Sequence, residues 1–226
     1  MISNDQYTRE PLVTLRINEI YRSIQGESTW AGIPCTFVRT MACDIRCDWC
    51  DTEYAFYKGV PMEVEDIVQH VTNLGMDLVE LTGGEPLLQK ELPLLSTRLM
   101  EKGATVLVET GGHHDISVLP PGVIRIMDLK CPGSGMIHRN RLANIEHLKP
   151  QDEVKFVIKD FDDFLWARDV TVQYRLEERV KSVLFSPVFG QCTGEELVGW
   201  LLESGLRARF QLQLHKYVWS PTRTGV

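Results

Sequence analysis

Short runs of apolar and β-branched residues alternate with amphipathic stretches along most of the chain. This alternation is typical of strands joined by crossover helices around a parallel sheet. The predicted strands cover residues 15–24, 35–40, 77–82, 105–110, 123–130, 152–159, 182–187 and 209–215. The predicted helices cover residues 64–75, 87–103 and 193–205. The pattern therefore predicts an α/β fold built from several strand-to-helix units.

Two of the predicted helices carry terminal signals. In the helix at 64–75, apolar residues recur on one face, and the segment ends at Gly75, a residue type that readily adopts the left-handed conformation after a helix. The helix at 193–205 opens with Thr193 and has Glu196 three residues later, which is a capping-box pattern. These signals fix the ends of both helices more closely than periodicity does.

The number of predicted core strands, about six, is smaller than the eight of a complete TIM barrel, and such a barrel typically needs about 250 residues. The chain has 226 residues and shows no internal repeat, low-complexity stretch or long Pro/Gly/Ser linker. We therefore expect one domain over residues 1–226, folded as a shortened, open (β/α)6-type partial TIM barrel. An open doubly wound sheet is the alternative, because periodicity does not distinguish the two.

The charge balance narrows the class of partner. The chain has 31 Asp and Glu against 24 Lys and Arg, a formal net charge of −7. An acidic surface repels phosphate backbones, so we expect no nucleic-acid partner. Residues 1–15 show no basic segment followed by an apolar one, and no run of about 18 apolar residues occurs. We expect a cytoplasmic protein without a membrane partner.

Three of the six cysteines, Cys43, Cys47 and Cys50, fall within eight residues on a polar loop after a predicted strand. In a chain without a secretion signal, such spacing favours metal chemistry over disulfides. A zinc site or a chance cluster is the alternative, but structural zinc normally takes a fourth Cys or His at a matching spacing. Three thiolates would instead leave one iron of a four-iron four-sulfur cluster open to a ligand.

The C-x3-C-x2-C spacing, with the aromatic Trp49 before the last cysteine, resembles the radical S-adenosylmethionine superfamily. The segment Gly83-Gly84-Glu85-Pro86 resembles the superfamily motif that receives the methionyl amino group, although it is also an ordinary strand-to-helix turn. The resemblance implies S-adenosylmethionine and the iron-sulfur cluster as cofactors. The residues expected to contact S-adenosylmethionine are Trp49, Asp51, Gly84, Glu85, Glu109, Lys130, Cys131, Pro132 and Ser134.

A second set of residues extends the resemblance from the superfamily to one family within it. Gln25-Gly26-Glu27 ends the first predicted strand, Arg39 precedes Cys43 by four residues, Asp51-Thr52 follows Cys50, and His215 lies near the end. Together they resemble the 7-carboxy-7-deazaguanine synthase family, over residues 18–221. The resemblance implies that 6-carboxy-5,6,7,8-tetrahydropterin contracts to 7-carboxy-7-deazaguanine with loss of ammonia. The implied substrate-binding residues are Ile24, Gln25, Gly26, Glu27, Arg39, Thr82, His215 and Pro221.

Three of these residues, Glu27, Arg39 and His215, are expected to be catalytic. A pterin presents an aminopyrimidinone edge that needs acceptors such as Glu27, and its carboxylate needs a cation such as Arg39. The resemblance also implies magnesium, with Thr52 as a ligand, since a hydroxyl oxygen suits a hard cation. The alternatives are that Asp51-Thr52 caps a helix and that Arg39 forms a surface ion pair.

The family resemblance further implies a homodimer and an electron donor such as flavodoxin or ferredoxin. Two other functions stay open. A glycyl-radical enzyme activase shares the cysteine spacing and GGEP but would lack the set formed by residues 25–27, Arg39, residues 51–52 and His215. A non-enzymatic iron-sulfur electron-transfer protein would ordinarily supply four cysteine ligands.

A few residues have no assigned chemistry. Cys35 and Cys192 are expected to be small buried apolar residues. His113 and His114 are interpreted as part of a solvated turn. The tail after Trp219, SPTRTGV, leaves Arg223 without a role.

Overall fold

A nine-stranded sheet forms the framework in the computed structural model, which describes residues 13–75 and 77–226. The strands are β1 (Thr14–Ile24), β2 (Pro34–Thr40), β3 (Val60–Glu63), β4 (Leu78–Gly83), β5 (Thr105–Thr110), β6 (Ile124–Asp128), β7 (Glu153–Ile158), β8 (Ser182–Pro187) and β9 (Arg209–Phe210). The helices are α1 (Val64–Leu74), α2 (Leu92–Glu101), α3 (Phe161–Gln173), α4 (Leu176–Arg179), α5 (Gly194–Ser204) and α6 (His215–Val218).

The sheet is parallel from β2 to β9 and does not close. Its order is β3-β1-β2-β4-β5-β6-β7-β8-β9, with β1 antiparallel to both β2 and β3. Six full parallel strands, β2 and β4 to β8, are followed by β9, which has two residues. The expected shortened, open (β/α)6-type barrel is confirmed, since the sheet ends at two different strands, β3 and β9.

The helices α1, α2, α3 and α5 pack on the outer face of the sheet, which argues against a doubly wound arrangement. Residues of the α1 and α2 faces pack with outer positions of β4 and β5 such as Val79 and Val108. Residues of α3 and α5 pack with outer positions of β6 and β7 such as Met127 and Phe156. The inner face is therefore left free to line a site.

The inner face divides into an apolar layer and a charged layer. Because side chains alternate along a strand, every second residue points inward. Near the strand starts the inward residues form an apolar cluster of Cys35, Phe37, Leu78, Leu107 and Ile126. The inward positions that follow in the same strands are polar or charged, and they are Arg39, Glu80, Thr82, Glu109 and Asp128, joined by Lys155 from β7. The charged layer lies at the carboxyl ends of the strands, where barrel sites form.

The predicted helix ends agree with the structure where caps were recognised. Gly75 adopts φ 70° after α1, and Thr193 and Glu196 form the capping box of α5. The predicted helix at 87–103 begins only at Leu92, because residues 86–88 form a short 3-10 turn. Within the described ranges 13–75 and 77–226, no helix is long and apolar enough to cross a membrane.

Two strand predictions differ from the structure. The segment predicted at 209–215 pairs only at Arg209–Phe210, because the chain then turns and Leu214 donates its backbone N–H to the carbonyl of Gly26 at 2.8 Å. The strand β3 was not predicted, because Pro61 lacks an N–H and disfavours a strand in the sequence. Its position at the sheet edge tolerates that proline.

Candidate active site

A cavity of about 290 Å³ opens at the carboxyl ends of the parallel strands. Most of the sequence-predicted site residues line it, which brings the cysteine loop and the predicted substrate residues to one place. The predicted residues that line the cavity are Ile24, Gln25, Gly26, Glu27, Arg39, Cys43, Cys47, Trp49, Cys50, Asp51, Thr52, Thr82, Gly84, Glu85, Glu109, Lys130, His215 and Pro221.

Three residues predicted to contact the cofactor do not line this cavity, and their contact with it stays a prediction. Cys131 is 1% exposed and packs in the outer core. Ser134 is buried, with Oγ donating to the carbonyl of Cys131 at 2.6 Å. Pro132 opens the same 3-10 turn and is exposed. The turn contacts the site only indirectly, through the backbone N–H of Asp48, which donates to the Ser134 carbonyl at 3.2 Å.

The loop after β2 presents three free thiols, those of Cys43, Cys47 and Cys50, to the cavity. Burial is the largest influence on each of them and raises the pKa of each thiol above its ordinary value. Arg46 holds the loop by donating from Nη1 to the Cys43 carbonyl at 2.8 Å. The donor set is three half-buried sulfurs on one short segment, which fits a metal-sulfur centre.

Two glycines allow the end of β4 to pack against this loop. A Cβ on Gly84 would stand 2.3 Å from the Ala42 carbonyl oxygen and 2.6 Å from Cys43 Cβ. Gly83 has φ 148°, and a Cβ there would stand 2.4 Å from the Thr40 carbonyl oxygen. The GGEP segment therefore requires both glycines for contact with the cysteine loop.

The side chain of Glu85 holds the GGEP turn together. It is 0% exposed and accepts hydrogen bonds from Leu87 N, Thr110 Oγ1 and Gly111 N at 3.0, 2.8 and 2.8 Å. Both carboxylate oxygens thus already accept hydrogen bonds from within the protein, so this side chain has a structural role. Contact of the Glu85 segment with the cofactor stays a prediction.

The interpretation of His113 as part of a solvated turn was wrong. Its side chain is 2% exposed, and its Nε2 lies 2.7 Å from Asp44 Oδ1. Its Nδ1 lies 3.6 Å from Glu85 Oε2. The imidazole therefore bridges the cysteine loop and the GGEP turn, whereas His114 is about one-third exposed at the same carboxylate.

The Thr52 hydroxyl does not cap a helix. Thr52 precedes the 3-10 turn at Glu53–Phe56 but makes no side-chain cap; its Oγ1 donates to Asp51 Oδ1 at 2.9 Å. Asp51 Oδ2 lies 2.7 Å from Lys216 Nζ. Burial raises the pKa of Asp51, but Lys216 and Thr52 outweigh it and hold that pKa below its ordinary range. Thr52 lines the cavity, and its hydroxyl oxygen can still accept.

Glu27 belongs to a buried ionic group centred on Lys155, a residue that sequence reasoning missed. Lys155 Nζ lies 3.0 Å from Glu27 Oε2, also contacts Glu109, and lies 3.8 Å from Asp128 Oδ2. Gln213 Nε2 donates to Glu27 Oε1 at 3.0 Å. Burial lowers the pKa of Lys155, but Glu109 and Glu27 more than offset this and raise it well above its ordinary value. Lys155 therefore stays charged.

Glu80, also missed, lies in the same inner layer beside Glu109. Burial and repulsion from Glu109 raise its pKa well above the ordinary value. Burial raises the pKa of Glu109 too, but its contact with Lys155 and a hydrogen bond from Glu80 lower it overall. Gln25 Nε2 donates to the other Glu80 oxygen. The two shifts are opposite in direction, which favours the proton on Glu80 and the negative charge on Glu109.

Arg39 is enclosed rather than displayed on the surface. Its side chain is 13% exposed, which contradicts the surface ion-pair alternative, yet it does form an ion pair, with Nε 2.8 Å from Glu19 Oε1. Its Nη2 donates to the Tyr21 hydroxyl at 2.8 Å. Burial raises the pKa of Tyr21 to about 12, so this hydroxyl is a neutral acceptor. The other guanidinium N–H groups remain for a ligand.

The missed residues share one detectable signal. Glu80 is the one charged residue of β4, and Lys155 is a charged residue of the buried strand β7, which also contains Glu153. Such a residue in a buried strand is costly unless it is paired, so it marks a site. Glu19 carries no such signal, because β1 also contains the polar or charged residues Arg16, Asn18 and Arg22.

Comparison with known proteins agrees with this geometry. A family model described as the Radical SAM superfamily matches residues 37–183. A protein from Koribacter versatilis (strain Ellin345) called 7-carboxy-7-deazaguanine synthase is 45% identical over 226 residues, covering 94% of this chain and 100% of that protein. A protein of the same name from Chlorobaculum tepidum is 40% identical, covering 94% of this chain and 97% of that protein.

A solved structure shares the fold. The crystal structure of QueE from Escherichia coli superposes with a TM-score of 0.74 at 21% identity, covering 89% of this chain and 95% of that one. This likeness supports the open barrel described above.

Proposed function

Since the chain belongs to the radical S-adenosylmethionine superfamily and, within it, to the 7-carboxy-7-deazaguanine synthase family, we propose that it contracts 6-carboxy-5,6,7,8-tetrahydropterin to 7-carboxy-7-deazaguanine with loss of ammonia. The observation that carries the proposal is that the cysteine loop and the predicted substrate residues Gln25–Glu27, Arg39 and His215 line one cavity. An activase acting on a partner protein would not need this set.

The three thiols of Cys43, Cys47 and Cys50 would hold a four-iron four-sulfur cluster. When bound and reduced, the cluster supplies the electron that cleaves S-adenosylmethionine to methionine and a 5'-deoxyadenosyl radical. Gly84 keeps the wall beside Cys43 free of a side chain, and Glu109 offers a carboxylate to ribose hydroxyls. Lys130 adds a cation at the same mouth, held by Asp128 at 2.8 Å.

The substrate would lie between the end of β1 and the start of α6. Glu27 has accepting capacity beyond its three contacts with Lys155, Gln211 and Gln213, so it can receive the pterin amino group. Arg39 would donate its remaining N–H groups to the pterin carboxylate. These contacts hold C6 of the pterin in place for hydrogen abstraction and exclude water from the radical.

His215 and Thr82 would complete this part of the cavity. Thr82 is 7% exposed at the end of β4, and His215 begins α6. An imidazole can donate or accept near neutral pH, which suits a group beside a ring that loses ammonia. Pro221 and Ile24 line the opposite rim.

Magnesium would bind at Thr52. The support is that its hydroxyl lines the cavity, does not cap the following turn, and lies beside the Asp51 carboxylate. Hydroxyl and carboxylate oxygens, together with water and a substrate carboxylate, are the ligands that Mg²⁺ prefers.

The remaining assignments rest on the family resemblance. The whole chain would act as one catalytic domain, assemble as a homodimer, and take electrons from a small protein such as flavodoxin or ferredoxin. A cytoplasmic location is supported by the six free thiols, since reducing compartments keep cysteines in this form.

The decisive experiment is anaerobic reconstitution followed by product analysis. The reconstituted chain would be incubated with dithionite, magnesium, S-adenosylmethionine and 6-carboxytetrahydropterin, and the products identified by mass. We expect 7-carboxy-7-deazaguanine and ammonia in equal amounts. Cleavage of S-adenosylmethionine without any deazaguanine product would overturn the proposal while leaving the superfamily assignment intact.

A further inference from the structure

The end of the chain forms part of the cavity wall. Residues 221–226 all line the cavity, and Gly225 and Val226 are more buried than the four residues before them. A Cβ on Gly225 would stand 3.7 Å from Glu19 Oε2, the carboxylate that pairs with Arg39. The tail therefore reaches the substrate side of the cavity and not the cysteine loop.

The tail also carries a cation without a carboxylate. Five Lys or Arg residues line the cavity. Four have a carboxylate partner, namely Arg39 with Glu19 at 2.8 Å, Lys130 with Asp128 at 2.8 Å, Lys155 with Glu27 at 3.0 Å and Lys216 with Asp51 at 2.7 Å. The fifth is Arg223, for which no carboxylate within 4.0 Å is found among residues 13–75 and 77–226.

The position of Arg223 is restrained by a local turn. Its backbone N–H donates to the Ser220 carbonyl at 2.9 Å, and the hydroxyls of Ser220 and Thr222 lie 3.2 Å apart. Gly225 follows two residues later, and two residues span at most about 7 Å. The long Arg223 side chain therefore has the reach to enter the space beside Glu19 and Arg39.

Arg39 adds little net positive charge to this part of the cavity. Its charge is offset by Glu19, so this pair attracts an anion only weakly. The proposed substrate carries a carboxylate. We propose that Arg223 binds the C6 carboxylate of the pterin and makes the cavity selective for carboxylated over uncarboxylated pterins, an inference that rests on the proposed function.

The division of work between the two arginines follows from their surroundings. Arg39 is enclosed and held by two partners, so its remaining N–H groups have fixed directions and orient a bound carboxylate. Arg223 is exposed and unpaired, so it adds net positive charge and a planar fork that matches a carboxylate. Because the tail is exposed in part, Arg223 can order on the ligand as it enters.

Equilibrium binding tests this directly. The fluorescent oxidised pterins, 6-carboxypterin and pterin, would be titrated into the cluster-loaded chain with S-adenosylmethionine present. In Arg223→Gln we expect the Kd for 6-carboxypterin to rise about tenfold, the usual effect of losing one charge-assisted hydrogen bond, with the Kd for pterin unchanged. Arg223→Lys should recover part of the loss. Arg168→Gln, on the outer helix α3, should bind both as the parent does.

Steady-state kinetics gives a second measurement. Arg223→Gln should raise KM for carboxytetrahydropterin about tenfold and leave kcat near the parental value, since the contact is the same in substrate and transition state. Unchanged affinity for 6-carboxypterin in Arg223→Gln would overturn the inference. So would an equal loss for both pterins, because the tail would then act only as a cover.

The outcome is separable from that of the proposed function. If the parent binds neither pterin and forms no deazaguanine, the proposed function fails. If the parent forms the product and prefers 6-carboxypterin but Arg223→Gln shows the same preference, only the role of Arg223 fails.

Discussion

Gly26 and His215 are in direct contact, and the contact leaves no room for a side chain at residue 26. A Cβ on Gly26 would stand 2.6 Å from His215 Nδ1 and 3.2 Å from His215 N. The backbone of the two segments is joined by the hydrogen bond from Leu214 N to the Gly26 carbonyl at 2.8 Å. The first strand and the last helix thus define one wall of the substrate site together.

Gly26→Ala should therefore displace His215 and impair pterin turnover. Overpacking of this kind typically costs about 1 to 3 kcal/mol, so we expect kcat/KM to fall about tenfold or more. Iron content and uncoupled formation of 5'-deoxyadenosine should be retained. Gly199→Ala is the matched control, because a Cβ there meets nothing within 4 Å. Equal kinetics for Gly26→Ala and the parent would contradict the contact.

The cysteine loop should bind about four irons per chain, as one cubane cluster requires. Cys43→Ala, Cys47→Ala and Cys50→Ala should each lose the brown absorbance and the cleavage of S-adenosylmethionine. Cys192→Ala should keep both, because Cys192 lies in the outer core. Iron analysis and absorbance of anaerobic protein measure this. Stoichiometric zinc in place of iron would refute the cluster.

Thr52→Ala should retain the iron-sulfur cluster but lose most of the magnesium stimulation of turnover. The reason is that a methyl group cannot replace the hydroxyl oxygen as a ligand for a hard cation. Thr52→Ser keeps that oxygen and should respond to magnesium like the parent. The measurement is turnover against magnesium concentration. A Thr52→Ala variant with a parental response would exclude this site.

Glu80→Gln should change the turnover rate little, to a value within about threefold of the parent. A glutamine can accept from Gln25 and donate to Glu109, as the protonated carboxyl does. Glu109→Gln should instead lose activity strongly, because it removes one of the carboxylates that compensate the buried charge of Lys155 and the carboxylate proposed for the ribose hydroxyls. Comparable losses in the two variants would show that Glu80 is ionised in the folded protein.

The same pair predicts a pH dependence of stability. The folded pKa of Glu80 is raised, so between the unfolded pKa and the folded pKa the folded state holds a proton that the unfolded state releases. Stability should therefore fall as pH rises through this window. Glu80→Gln removes this titratable group, so its Tm should decline less than the parental Tm as pH rises above the ordinary pKa of a glutamate, as measured by calorimetry.

Glu27→Ala and Arg39→Ala should lose pterin turnover selectively. Removing one partner of a desolvated charged contact typically costs about 2 to 5 kcal/mol, which corresponds to about 1.5 to 3.5 orders of magnitude in kcat/KM. Uncoupled formation of 5'-deoxyadenosine with dithionite should persist in both variants and in His215→Ala, since none is proposed to touch the cofactor. Near-parental deazaguanine production by both would remove the pterin site.

The sequence predicted the parallel strands and the capped helices well, because apolar periodicity and caps are local. It failed at 209–215, where the alternating residues QLQL look like a strand. Gln211 and Gln213 instead donate hydrogen bonds to Glu27. The alternation of polar and apolar residues therefore places side chains in the site and does not form a strand. The edge strand β3 was missed for the local reason that it contains Pro61.

The cavity was predicted in part. Cys43 and Gly84 were identified because both belong to motifs whose residues have a fixed spacing in the sequence. The partners of the ionic residues were not, because Lys155 meets Glu27 across 128 positions of sequence and Arg39 meets Glu19 across the β1–β2 pairing. Such pairings depend on strand order, which a single sequence does not reveal.

The two layers of the inner face set how the site responds when charge moves within it. Phe37 and Leu107 lie beneath the ionic layer, so Lys155 and Glu109 are compensated by one another rather than by mobile solvent dipoles. Charges that are held in place in this way leave fewer dipoles to turn when an electron or proton moves, which favours a small reorganisation energy. In such surroundings, the electric field at a radical comes from charged side chains that the fold already holds in place.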